Sequence, residues 1–241
     1  MMRNLLKTEL KLLFKLKLLY YEIGFIVLLA ILMGFTSILN DEPPITSFFN
    51  GLFIVGMMQP ALGGTLLLTD FKQKTINNKI IAGHSRFNIY TAKFISLIVL
   101  VALSSLAYGA TSFIMSLFDT ISINWTIFLK NILVVVMSSF FNVCMMLFFN
   151  MILHNEGGLA ISTIMAEVFP MGGMFLLEFL TISDNYKTIA DWVTAFPPVQ
   201  TMMLSLEAAP MHIGYTAIMT LISFTIFFFG GFIIFKKQDL P

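Results

Sequence analysis

The chain has 241 residues, 58% of them hydrophobic and 11% charged, with a formal net charge of +1 and a mean hydropathy of +0.89. A soluble domain carries about 25% charged residues, so this composition excludes an ordinary water-soluble fold. It is that of an all-α integral membrane protein, read as a single transmembrane domain over residues 1–241. No nucleic-acid partner is expected.

The amino-terminal segment, 1–17, opens with Arg3, Lys7, Lys11 and Lys15 at four-residue spacing, while Leu5, Leu6, Leu12, Leu13 and Leu16 gather on the other side of a helix. That pattern predicts an interfacial helix lying in the cytoplasmic headgroup layer. Glu9 falls among the leucines, where an unpaired carboxylate is costly. Two readings stand: it meets a partner from elsewhere in the assembly, or it is a solvated charge near the interface. The basic region is too long, and the apolar run after it exceeds the 7 to 15 residues of a secretory signal, so no cleavage is expected.

A membrane-spanning helix needs about 20 apolar residues at about 1.5 Å rise each. Six windows qualify, at about 18–39, 48–69, 94–118, 128–153, 159–180 and 211–235. A short turn, Asn40 to Pro44, makes a hairpin of the first two, and Asp119 to Trp125 separates the third from the fourth. Five residues, His154 to Gly158, join the fourth to the fifth. The loop 181–210 is long and apolar, with Ile189, Trp192, Val193, Phe196 and Met202–Leu204. Such content is expected to form short extracellular helices that dip into the outer leaflet or cap the bundle.

Charge sets the orientation. Basic residues cluster at the amino terminus, in the segment 70–93 (Lys72, Lys74, Lys79, Arg86, Lys93) and at Lys236–Lys237, twelve in all, against Lys130 and Lys187 on the other side. By the positive-inside rule both termini and the 70–93 loop are cytoplasmic.

Catalytic signatures of soluble enzymes are absent. No phosphate-binding loop pattern is present, so ATP hydrolysis by that route is not expected on this chain. His84, His154 and His212 lack ligand-like spacing, and no metal or catalytic residue is assigned. Cys144 has no partner for a disulfide. Asn124-Trp125-Thr126 fits a glycosylation sequon without meaning in a bacterium. Gly172–Gly173 and Gly230–Gly231 offer close helix approach. The seventeen methionines suit either irregular core gaps or an adaptable surface for apolar cargo. Glu167 and Glu178 lie eleven residues apart in the fifth window, on nearly one helix face. They read either as the lining of a translocation path or as an interhelical hydrogen bond and a headgroup contact, respectively. Pro170, between them, predicts a kink.

Within the loop 70–93 the order is Asp70, Thr75, the apolar pair Ile80–Ile81, Ser85–Arg86 and Lys93. This resembles the cytoplasmic segment of ABC-2 type transporter permeases, whose usual pattern runs Glu, Gly-Thr, an apolar stretch, Pro-x-Ser-Arg and then Lys at the third span. Lys74 stands where the family has Gly, and Gly83 where it has Pro. The layout of an interfacial helix, six spans, a short second inner loop and a long outer loop is also similar.

The resemblance implies a cytoplasmic coupling helix between spans 2 and 3 that seats in a separate ATP-binding cassette subunit. Two copies of that subunit and two permease chains, as homo- or heterodimer, would form the working unit. ATP and Mg would sit on the partner subunit, with no cofactor on this chain. Asp70, Lys74, Thr75, Lys79, Ile80, Ile81, His84, Ser85 and Arg86 are then the coupling residues, with a second contact at Glu156. The expected activity is export of an apolar or amphipathic peptide or drug-like molecule across the bacterial cytoplasmic membrane. Readings from other classes are a proton-coupled secondary carrier using Glu167 and a non-transporting membrane scaffold.

Overall fold

The computed structural model describes residues 2–40, 44–117, 125–182, 184–205 and 213–238. Every regular element among them is helical. Helix α1 spans Met2–Lys15, α2 Lys17–Asn40, α3 Pro44–Lys72, α4 Thr75–Ile81, α5 Arg86–Ser116, α6 Trp125–Leu153 and α7 Glu156–Leu180. After a single tight turn at Asp184–Tyr186 come α8 (Lys187–Thr194), α9 (Pro197–Ser205), α10 (Ile213–Phe224), a π-helical turn (Thr225–Phe229) and α11 (Gly230–Lys237). Six helices are long and apolar enough to cross a membrane: α2, α3, α5, α6, α7 and the continuous run Ile213–Lys237. Positions 41–43 of the expected turn, Asn124 of the sequon and all of 206–212 lie outside the described residues.

The third spanning helix starts at Arg86, well before the expected 94, so the loop that follows α3 is shorter than charge suggested. The reason is local: Ser85 is extended (φ −66, ψ 147) and its hydroxyl accepts from the Asn88 N–H at 3.3 Å, an N-cap that starts α5 there. Asp70 likewise belongs to the last turns of α3 rather than to a loop.

Between apolar helices in lipid, close steric fit and polar contacts replace the hydrophobic drive. Tyr90, Phe94, Phe224, Phe228, Phe232 and Phe235 interlock at one end of the bundle, with ring centroids 4.8–6.0 Å apart. Gly231 makes room for this, since the Tyr90 hydroxyl occupies the space a Cβ would need. Gly158 does the same for α6 and α7: a Cβ there would meet Asn150 Cα and the Phe149 carbonyl at 3.0 Å. Cys144 is buried and free. At the other end α9 packs among α3, α6 and α7, burying Val199 and Gln200. Helices α2 and α7 keep exposed apolar faces, with Phe25, Leu28, Leu32 and Phe35 on the first and Ile164, Val168, Met171 and Phe175 on the second.

Candidate functional site: a buried ion cluster joining four helices

Helix α1 buries one stripe, Leu5, Glu9 and Leu13, against α5. A carboxylate in that stripe demands charge from its neighbours. Lys93 supplies it: its ammonium pairs with both Glu9 of α1 and Asp70 of α3, and the lysine is fully buried. Lys79 of α4 closes the arrangement, 2.5 Å from Glu9 Oε1 and 3.9 Å from Asp70 Oδ1. Thr75, the first residue of α4, donates its hydroxyl to Asp70 Oδ1 at 2.5 Å. Two lysines thus balance two carboxylates, and four helices meet in one neutral cluster. Glu9 therefore finds its partners within its own chain, not elsewhere in the assembly, and it is not solvated.

Helix α4 is held by this cluster and by Ile76, which is 1% exposed. Ile80 is partly buried against the same core, whereas Ile81 is 83% exposed and points away. Lys74, where the ABC-2 pattern has glycine, takes a left-handed backbone (φ 54), the conformation glycine adopts without steric cost. Gly83, in place of that pattern's proline, has φ 84, which a proline ring forbids. His84 lines a groove of about 420 Å³ between α1 and α4, together with Asn4, Thr8 and Asn78.

Arg86 serves a different helix. Its Nη1 donates to the carbonyls of Phe235, Lys236 and Gln238 at 2.9, 3.0 and 2.6 Å, so it caps the carboxyl end of α11. The Gln238 amide in turn donates to the Ile152 carbonyl at 2.8 Å, near the end of α6. Ser85 and Arg86 are therefore occupied within the chain, one starting α5 and the other ending α11. Glu156, capped into the first turn of α7 beside Asn155, forms an exposed pair with Lys72 at 2.8 Å. Burial lowers the pKa of His154, whose left-handed backbone (φ 53) ends α6 and whose ring lies 4.4 Å from that of Phe71.

Glu167 and Glu178 lie away from all of this. The buried stripe of α7 is Gly158, Ser162, Ala166, Pro170 and Leu177, and both glutamates are exposed on the other side, with no hydrogen bond across helices among the described residues. Among the described residues the interhelical bond considered for Glu167 does not form.

Some polar groups inside the bundle escaped sequence reading. Glu22 of α2 is 8% exposed, and neither carboxylate oxygen has a partner among the described residues. Gln59 of α3 donates to Ser105 Oγ at 3.1 Å, and Asn150 of α6 to Ser162 Oγ at 3.1 Å. Glu22 carries a usable signal, a lone acid in a run of apolar residues; the amides and serines look like ordinary helix polarity. Among the described residues no group of three or more His, Cys, Asp or Glu side chains is placed to hold a metal ion. No protein-family model matches the chain, and no curated protein matches it.

Proposed function

We propose that the chain is the permease subunit of an ABC-2 type exporter, driven by a separate ATP-binding subunit that carries ATP and Mg. One observation supports this most: α4 presents Ile81 to the outside while Thr75, Ile76 and Lys79 fasten its opposite side to α1, α3 and α5. A short helix with an exposed apolar contact and a rigid buried anchor transmits displacement instead of absorbing it. Buried charges tolerate no loss of partner, so a push on α4 moves the two spanning helices and α1 together.

In this reading both termini and α4 are cytoplasmic, in a bacterial cytoplasmic membrane. Closure of two ATP-binding subunits displaces α4 in each of two permease chains and opens a path between them. The Lys72–Glu156 pair lies beside that contact, and the exposed carboxylates of α7 face the path or the second chain. The apolar, phenylalanine-rich bundle suits an apolar or amphipathic peptide or a drug-like molecule.

The test is co-expression with a candidate ATP-binding subunit, followed by affinity capture and export from inverted vesicles. Ile81→Asp should abolish both capture and ATP-dependent export while leaving membrane insertion unchanged. Export at wild-type rate by that variant would exclude α4 as the docking element.

A further inference from the structure

Two of the spanning helices carry a proline near their middle: Pro60 in α3 and Pro170 in α7. Proline has no N–H, so the carbonyl four residues earlier loses its helical donor. The residues concerned are Gly56 and Ala166. Helix α6 answers the first loss, because Asn142 Nδ2 donates to the Gly56 carbonyl at 3.3 Å. No side chain among the described residues answers the second.

The two breaks meet. Gly56, Ala166, Pro170 and Asn142 line a single cavity of about 20 Å³, together with Ser138 of α6 and Thr201 of α9. A water molecule needs at least about 10–15 Å³ and two to four polar partners. The partners are there: the Asn142 amide oxygen and the Ser138 hydroxyl make no hydrogen bond among the described residues, although both residues are buried. Thr201 gives its hydrogen to the Pro197 carbonyl at 3.0 Å and keeps an oxygen free to accept.

We propose that this cavity is a water site, in which one molecule donates to the Ala166 carbonyl and to Asn142 Oδ1 and accepts from the Ser138 hydroxyl, replacing the N–H that Pro170 lacks. Asn142 then serves both prolines, one through its amide nitrogen and the other through the water. Each helix can bend at its proline without breaking an internal hydrogen bond, and the two bends share one residue of α6. The result is a hydrated joint halfway along the bundle, and it does not depend on the exporter reading.

A density map of the purified protein at a resolution that shows ordered water tests this directly. The expected result is one peak within about 2.7–3.2 Å of the Ala166 carbonyl and Asn142 Oδ1. An empty cavity, or a peak at the shorter distances of a bound cation, overturns it. Thermal unfolding gives a second arm. Ser138→Ala should lower the midpoint in the wild type and leave it unaltered in Pro170→Ala, whose new N–H serves Ala166 directly; equal losses in both backgrounds overturn the proposal. If Pro170→Ala does not fold, the density map decides.

Discussion

The Lys93 ammonium, two turns into α5, is shared between Glu9 of α1 and Asp70 of α3, and all three residues are buried. Lys93→Met leaves two carboxylates with Lys79 as their only counter-charge among the described residues. Removing one partner of a buried charge set costs about 3–5 kcal/mol, so the thermal midpoint in detergent should fall steeply. Adding Glu9→Gln restores one negative to one positive charge and should recover most of the loss. A double variant as unstable as the sum of the singles would contradict a shared cluster.

Lys74 offers a change of opposite sign. A side chain in the left-handed region costs about 1–2 kcal/mol, part of which glycine returns through its greater freedom in the unfolded chain. Lys74→Gly should therefore stabilise the protein by up to about 1 kcal/mol, read as a raised thermal midpoint at unchanged Ile81 exposure.

Arg86→Ala removes three hydrogen bonds from a charged donor to the carbonyls at the end of α11. Bonds of that kind contribute about 1.5–3 kcal/mol, and amide exchange in the last turn of α11 should accelerate while α2 stays protected. Arg86→Lys should recover only part, because its shorter side chain carries the ammonium less far toward the three carbonyls.

His154 predicts a pH dependence. Burial holds its folded-state pKa below the ordinary value of 6.5, so the unfolded chain binds the proton more readily. Stability is complete above about pH 6.5 and declines as pH falls from there toward the lowered folded value. His154→Asn, which tolerates the left-handed backbone, should flatten that slope in thermal scans from pH 7.5 to about 5.

Much of this architecture is legible in the chain because a bilayer imposes one dominant length scale. The six spanning helices follow from apolar run length alone, and Ser85 signals a helix start in any setting. Partnerships resisted reading. Nothing local says that Glu9 meets Lys93, 84 positions away, or that Arg86 reaches carbonyls about 150 positions on. Charge counting assigned Lys93 and Arg86 to a wet loop, whereas long side chains neutralised by carboxylates or helix ends are stable inside the helices. Glu167 shows the converse: an acid in an apolar run suggests an interior partner, yet helical phase turns it outward.

The π-helical turn at Thr225–Phe229 sets a rotational phase. Buried residues along the last spanning helix are Thr216, Thr220 and Ser223, then Phe228, Gly231 and Phe235, so the intervals run four, three, five, three, four. The single five is the π turn. One residue corresponds to about 100° of an α-helix, and without that extra residue Gly231 would rotate off the Tyr90 hydroxyl while the carbonyls capped by Arg86 swung with it. Deleting one residue between 225 and 229 would give a more regular helix whose two halves could no longer both face the bundle. The irregular turn is the reason a single rod satisfies two differently oriented seams.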